Sequence, residues 1–291
     1  MKSKCPWCNS EKIQTHLCLK DEFLTKEDFQ IQECQNCGLL FTEPRPKPQE
    51  IGKYYQSEEY YSHQENKEGF IPKLYERIKS INLKNKYKMA TNGMEIGKAL
   101  DIGCGVGDYI HTLEKNGWEC IGIEPSEEAK TIAKKRIRAS IVSSAEQENL
   151  PDNSFNLITM WHVLEHVDNL RWQVQQLERL VKPKGRIVIA LPNYKSYDGQ
   201  HYEEKWAAYD VPRHLNHFNK ETLVNILTTN NLTHIKTDKL VWDAYYISYI
   251  SETYMENNIP LIRGAIQGLK SNLKARKSGE WSSLVYLFEK Q

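Results

Sequence analysis

Four cysteines stand in two pairs near the start of the chain, Cys5 and Cys8 in CPWC and Cys34 and Cys37 in CQNC. Thiolates are soft anionic ligands, and two Cys-x-x-Cys turns brought together set four of them at the corners of a tetrahedron. Gly38, directly after the second pair, suits a tight turn that aims backbone N–H groups at such thiolates. Between the pairs lie 25 residues, Asn9 to Glu33, which read as two short strands around Ile13–Leu19 and Phe29–Glu33. CPWC alone has a rival use as a redox dithiol, but that motif needs a strand before it and a helix after it. Here it begins at residue 5.

The expectation is therefore a zinc ribbon over residues 1–48, holding a structural Zn²⁺ through Cys5, Cys8, Cys34 and Cys37. Four thiolates leave no coordination position open for a substrate, so the metal is not expected to do the chemistry. Leu39 to Phe41 would enter the ribbon's own small core, and TEPRPKP (42–48) would end the module as a stiff linker.

A second group of chemistry-bearing residues is DIGCGVG, Asp101 to Gly107. Glycines at 103, 105 and 107 let backbone N–H groups approach a ligand at the start of a helix. Alone this is a weak signal of nucleotide binding. It is sharpened by the G-x-G-x-G spacing and by Glu124, about twenty residues on at the end of the next strand, where a carboxylate accepts from both ribose hydroxyls. HVLEH (162–166) matches the letters of a zinc-protease helix, H-x-x-E-H. That chemistry needs both histidines on one helical face, whereas His162 directly follows the strand-like FNLITMW, so the match is read as coincidence.

The elements that position these residues alternate from Lys98 onward. KALDIG, WECIGIEP, ASIVS, FNLITMW and GRIVIALP read as strands, and DYIHTLEKNG, SEEAKTIAKKRI and Asn169–Val181 as helices, with Ser126 an N-cap. Continuous apolar strands separated by amphipathic helices argue for a parallel sheet covered on both faces, an open α/β sandwich.

LDIGCGVG, the strand-ending Glu124, SAEQENLPDNSFNLIT, WHVLEHV and LVKPKGRIVIALPN occur in the order and spacing of class I S-adenosylmethionine-dependent methyltransferases, and the chain resembles the ubiquinone-type O-methyltransferase subgroup over residues 95 to 240. The resemblance implies a Rossmann-like sheet of seven strands whose last, SLVYLFEK (283–290), is antiparallel and inserted before the sixth. It implies that Asp101, Gly103, Gly105 and Gly107 hold the methionine and sugar portions of S-adenosyl-L-methionine, that Glu124 binds the ribose, that Ala145 and Glu146 lie near the adenine, and that Trp161 and His162 line the pocket. Two positions depart from the pattern, Asn156 where an aspartate is usual and Lys184 where a glycine is common. The expected organisation is a ribbon at 1–48, a linker and helical segment at 49–94, and a methyltransferase domain at 95–291 with insertions at 193–219 and 241–280.

The first insertion is rich in Tyr, Trp and His and leaves the carboxyl end of the fifth strand, where open α/β sheets bind ligands. With the second insertion it would form a lid over the acceptor. Because the sulfonium is already activated, the protein must mainly align the acceptor and remove its proton. A histidine suits a hydroxyl acceptor. His214, in Pro212–Arg213–His214, and His162 are the candidate general bases, with His217 behind them. If the methyl group goes to carbon, the same base would take a proton beside a carbonyl.

Lys plus Arg (39) nearly balance Asp plus Glu (38) over 291 residues, so no overall field recruits nucleic acid or anionic membrane. Lysine-rich Lys73–Lys88 and the acid-free Arg263–Lys277 read as solvated helix faces. No apolar run is long enough to span a bilayer and no signal-type segment is present, so the expected location is the cytoplasm, where thiols stay reduced. The expected activity is O-methylation of a small molecule, a sugar or another hydroxylated metabolite. Two rivals are an RNA methyltransferase that reads through the ribbon and a non-catalytic scaffold. Residues 1–50 hold seven Lys/Arg against eight Asp/Glu, so the ribbon is not basic as RNA binding requires. The intact glycine turn and Glu124 argue against the scaffold.

Overall fold

The computed structural model describes residues 3–47, 49–55, 70–229 and 231–291, the side chains of 70–78 excepted. Pro48 of the expected linker, residues 56–69 of the expected 49–94 segment and the side chain of Lys73 lie outside the described residues. In chain order the elements are β1 (Ile13–Lys20), β2 (Asp28–Cys34), β3 (Leu40–Glu43), α1 (Phe70–Thr91), β4 (Lys98–Ile102), α2 (Asp108–Lys115), β5 (Glu119–Ile123), α3 (Glu127–Lys134), β6 (Ser140–Val142) and β7 (Phe155–Trp161). They continue with α4 (Leu170–Leu180), β8 (Val181–Pro192), α5 (Tyr197–Tyr202), β9 (Asn216–His217), α6 (Lys220–Thr228), β10 (Leu232–Lys239), α7 (Asp243–Tyr254), α8 (Pro260–Ser278) and β11 (Ser283–Lys290).

Seven strands form one mixed sheet in the order β10-β11-β8-β7-β4-β5-β6. β4 pairs in parallel with β5 and β7, and β7 with β8, while β11 runs antiparallel between β8 and β10. This is the Rossmann-like sheet with the late inserted strand that the resemblance implies. Its central strands are mainly apolar on both sides because helices cover both faces: Leu100, Leu157, Ile158, Ile187 and Val188 are all fully buried. Local chemistry closes the helices. Ser126 caps α3 by accepting from Ala129 N at 3.3 Å, and Asn169 caps α4 by accepting from Trp172 N at 3.1 Å. The two departures from the family pattern have physical roles. Asn156 accepts from Lys98 N and Lys182 Nζ, both at 3.1 Å, beside Gly97, where a Cβ would collide with it. Lys184 sits at φ 60°, the left-handed region that explains why glycine is common there.

A second sheet has the order β1-β2-β3-β9, and its fourth strand comes from the first insertion. Two backbone pairings, Leu40 with His217 and Phe41 with Asn216, thus join the N-terminal hairpins to the later domain. Leu39 and Phe41 do not enter a small core of their own. With Cys5 and Cys34 they belong to the same buried cluster as Leu164, Leu170, Val174, Phe218 and Leu223. Nor is the proline-rich segment a free linker. Arg45 donates to the Asp168 and Leu215 carbonyls and to Asn216 Oδ1 at 2.7–3.1 Å, and Arg171 donates from α4 to the Trp7 carbonyl. Forty residues of β-hairpin cannot bury many large side chains alone, and this one borrows its core from the larger sheet.

Phe41 is fully buried at that junction. Phe41→Ala is expected to destabilise the protein by about 3–5 kcal/mol. Denaturant unfolding would show this as a lower midpoint in a single transition, whereas a separate early transition with the main midpoint unmoved would mean that the two sheets do not share a core.

Candidate active site

The turn after β4 presents the first cluster. Gly103, Gly105 and Gly107 all have positive φ (72°, 53° and 80°). Any other residue would be strained there. No atom lies within 4 Å of where a Gly105 Cβ would stand, so the turn borders open space. Glu124, at the end of β5, accepts from Gly105 N and Ser126 N, each at 2.9 Å, and thereby fastens the turn to the next strand. Each of its oxygens keeps a second lone pair for a further donor. Asp101 is buried at the end of β4 and accepts from Thr159 Oγ1 at 2.6 Å. Burial pushes its carboxyl up to about 7, against the opposing pull of that hydrogen bond and of Lys86. Open space over the turn, a carboxylate on the next strand and N–H groups at the start of α2 fit a nucleoside with an amino-acid tail.

Trp161 closes this side, edge-on to Tyr109 at 5.2 Å, with Lys86 Nζ 4.7 Å above its ring. Lys86 is therefore not simply on a solvated face, and Lys79 pairs with Asp108 at 2.7 Å. Ala145 and Glu146 are both exposed in a short 3₁₀ turn (144–149). Glu146 bonds back to Ser143 N and Oγ, each at 2.7 Å, in a capping box. Both bonds use Oε2, which leaves Oε1 unengaged by the turn.

His162 is held on both sides. It follows β7 as expected, at φ 58°, and HVLEH forms no continuous helix, only a 3₁₀ turn at Leu164–His166. Its Nε2 lies 3.0 Å from Asp243 Oδ2 and its Nδ1 3.4 Å from Glu165 Oε1. Burial opposes the ring's charge, but the hydrogen bonds and fields of these two carboxylates outweigh it and hold the imidazole at about 9. With its two ring nitrogens directed at these carboxylates, His162 has a weaker claim to the general-base role than a histidine with a free nitrogen. The same holds for His217. It is buried in the second sheet, 2.9 Å from Thr42 Oγ1, and burial pulls its ring well below the usual range.

His214 fits better. Its Nδ1 meets the Ala208 carbonyl at 2.8 Å, which leaves Nε2 as the acceptor, and Asp210 Oδ2 stands 4.0 Å from Nε2. It borders a cavity of about 670 Å³ at the carboxyl end of β7 and β8, together with His162, Glu165, Pro192 and Asp243. Both insertions contribute walls, Ala207 to His214 from the first and Tyr246 to Tyr254 from the second. Phe23 of the N-terminal module is a further wall. Next to His214, Arg213 is buried and donates to Asp21 Oδ1 at 2.7 Å, Asp210 Oδ1 at 2.7 Å and the Tyr54 carbonyl at 3.0 Å.

Sequence reasoning missed Asp21, Asp210 and Asp243, and it met Glu165 only within the HVLEH match that it set aside. Asp210 had a readable signal, standing three residues before Arg213. Asp21 is 192 residues from Arg213 and Asp243 is 81 residues from His162, the partners they meet in space, and nothing local marks them.

The four cysteines converge. Their sulfurs all lie within 4.8 Å of one another, with Cys5–Cys37 and Cys8–Cys34 at 3.5 Å. Tetrahedral Zn–S bonds of about 2.3 Å require S···S separations of about 3.8 Å, so the arrangement fits. Hydrogen bonding from Cys37 lowers the Cys5 thiol, the same bond raises Cys37 and burial raises Cys34, so one thiolate is favoured ahead of the others without a metal.

His162 carries a pH signature. Its folded value of about 9 exceeds the roughly 6.5 of an unfolded histidine, so the clamp stabilises fully below pH 6.5 and is lost as pH rises through 9. Thermal unfolding between those values is expected to show a steeper fall in Tm for wild type than for His162→Gln. Parallel curves would show that the ring is not held charged.

A profile described as a methyltransferase domain matches residues 63–237, more than half of the chain. A ubiquinone biosynthesis O-methyltransferase of Aliivibrio fischeri is 28% identical over 115 residues, covering 36% of this chain and 49% of that protein. A demethylmenaquinone methyltransferase of Thermotoga maritima is 29% identical over 140 residues, covering 44% and 61%. The chain thus spans about half to three-fifths of the length of these relatives. Geranyl diphosphate C-methyltransferase from Streptomyces coelicolor A3(2), solved with S-adenosyl-L-homocysteine, superposes with a TM-score of 0.52 at 14% identity, over 74% of this chain and 80% of that one. At that identity the likeness concerns the fold. With the glycine turn, the strand order and the profile in agreement, the chain belongs to the methyltransferase-domain family, the S-adenosylmethionine-dependent enzymes of this fold.

Proposed function

We propose that this protein transfers a methyl group from S-adenosylmethionine to a hydroxyl of a small polyhydroxylated acceptor, a sugar being the favoured class, with His214 as general base and Zn²⁺ held by Cys5, Cys8, Cys34 and Cys37. The observation that carries this reading is His214 itself, tethered through Nδ1 to the Ala208 carbonyl and bordering a mainly apolar and aromatic cavity in which Asp210, Arg213 and Asp243 are the polar groups within reach of a hydroxyl. The cofactor, when bound, supplies a sulfonium whose methyl group is already activated. Gly105 offers its open cradle, Glu124 its lone pairs to the ribose hydroxyls, and Asp101 a carboxyl at the methionine end. Trp161 bounds the reacting end of the cleft. His214 Nε2 takes the hydroxyl proton, and Asp210 steadies the resulting imidazolium from 4.0 Å. The zinc holds the two cysteine turns and, through the shared core, sets Phe23 against the cavity. Ion pairs within the ribbon, Lys4–Glu11 and Lys26–Glu22 among them, support a small-molecule acceptor over RNA.

One observation favours a second reading of the same residues. Beyond the His162 Nδ1 contact at 3.4 Å the buried Glu165 carboxylate has no polar partner, and it lies with His166 and His214 in a group whose donor atoms are all within 4.8 Å. His166 Nδ1 meets the Arg213 carbonyl at 3.0 Å, so both rings keep Nε2 for a ligand. A divalent cation there would bind acceptor hydroxyls and lower their pKa, with the base elsewhere.

A methyl-transfer screen over sugar nucleotides and phenols tests the activity. In it, His214→Ala is expected to lower kcat by about 10²–10⁴ with calorimetric S-adenosylmethionine binding unchanged, whereas Gly105→Arg abolishes that binding. Undiminished kcat in His214→Ala would overturn the base assignment. Metal analysis of the purified protein is expected to find zinc that is lost in Cys34→Ser, a variant that keeps cofactor binding but loses stability. A second metal, retained in Cys34→Ser but lost in His166→Ala, would establish the cation reading instead.

A further inference from the structure

The helix α8 (Pro260–Ser278) is built inside out. The residues it turns towards the protein are Gly264, Gly268, Ser271, Asn272 and Ala275, all small or polar. Those it turns outward are Leu261, Ile262, Ile266, Leu269 and Leu273, each 49–69% exposed. Ordinary surface helices do the reverse. Ile262, Ile266, Leu269 and Leu273 follow one another at intervals of four, three and four, so they form one continuous stripe. The inward face has a packing reason. A Cβ on Gly264 would stand 2.5 Å from Tyr249 Cα, and one on Gly268 2.8 Å from Tyr245 Cα, so only glycine lets α8 approach α7 this closely. The outward stripe has no such reason within the described residues.

The charge around the stripe indicates what covers it. Arg263, Lys270, Lys274, Arg276 and Lys277 lie on the same helix, all exposed, and residues 260–278 contain no Asp or Glu. A second copy of the chain is a poor occupant, because a two-fold contact along this stripe sets cations against cations with no acid on the helix to pair them. An apolar face rimmed by Lys and Arg matches the boundary of an anionic bilayer, where the side chains enter the acyl region and the cations meet headgroup phosphates. Trp242, 45% exposed, flanks the C-terminal half of the helix, where Asn272 Nδ2 donates to the Val241 carbonyl at 3.0 Å, and its amphipathic ring suits the same boundary.

We propose that α8 is an interfacial helix that docks this protein on an anionic lipid surface. No helix among the described residues is long and apolar enough to cross a membrane, so the attachment is peripheral and reversible. The opposite, inward face of α8 adjoins the catalytic cavity, since it packs on α7 at Tyr249, which lines that cavity. The inference does not depend on the identity of the acceptor or of the base.

Co-flotation of the full chain with vesicles tests it, using phosphatidylglycerol mixed into phosphatidylcholine against phosphatidylcholine alone. The expected result is binding to the anionic vesicles, weakened by salt and reduced about tenfold or more in Ile266→Gln/Leu269→Gln and in Lys270→Glu. S-adenosylmethionine affinity should be unchanged in both, which shows that the variants are folded. Absence of flotation with anionic vesicles would overturn the proposal. So would sedimentation equilibrium showing a wild-type dimer that Ile266→Gln/Leu269→Gln converts to monomer, because the stripe would then be a subunit interface.

Discussion

A guanidinium buried to 3% exposure decides how the parts of this protein fit together. Arg213 cannot sit in a protein interior unpaired, and its partners come from distant stretches of chain: Asp21 from the N-terminal module, Asp210 from its own loop, and the carbonyl of Tyr54. Losing one partner of such a group typically costs about 3–5 kcal/mol, because a desolvated charge is left behind. The module, the Tyr54 segment and the first insertion are thereby fastened at one point. His214 is the next residue, and its carbonyl accepts from Thr42 Oγ1 at 2.7 Å. The position of the histidine at the cavity thus depends on strands that carry none of the cofactor site.

The histidines show how environment sets chemical role. His162 sits between Asp243 and Glu165 and is held as a cation that joins β7 to α7. His217 is hydrogen-bonded inside a sheet, and burial keeps its ring neutral. His214 has one nitrogen tied to a backbone carbonyl and the other free at the cavity. Three identical side chains therefore have three uses, and the difference is which oxygen each ring nitrogen meets.

The α7–α8 hairpin reconciles two demands. Its inner side walls the cavity with Tyr246, Ile247, Ile250 and Tyr254. Holding that wall against α8 requires glycine at 264 and 268, which places the large apolar residues of α8 on the far side. Composition alone made this stretch look like a cationic, solvated helix face. The cations are exposed, but the direction of the apolar stripe changes what the face is suited to contact.

The seven-stranded sheet, its inserted last strand, the glycine turn and the two cysteine pairs were all legible in the chain. Each is encoded locally, by apolar runs of strand length, by glycine where φ must be positive, or by ligand spacing. Glu146 also closes a capping box with Ser143, a local role that motif order does not show. The surroundings of His162 were not legible because the charge of an imidazole depends on carboxylates that the sequence does not bring near it, Asp243 being 81 residues away. The fourth strand of the ribbon sheet is two residues long and lies more than 170 positions from its partner strand, so it has no pattern of its own. What the sequence alone determined was the family, the cofactor turn and the four-thiolate set, because backbone conformation and ligand spacing are local properties. Tertiary structure alone decided which histidine is free to act, how the ribbon is joined to the catalytic domain and which way α8 faces, because pKa, burial and packing depend on neighbours brought together only by folding.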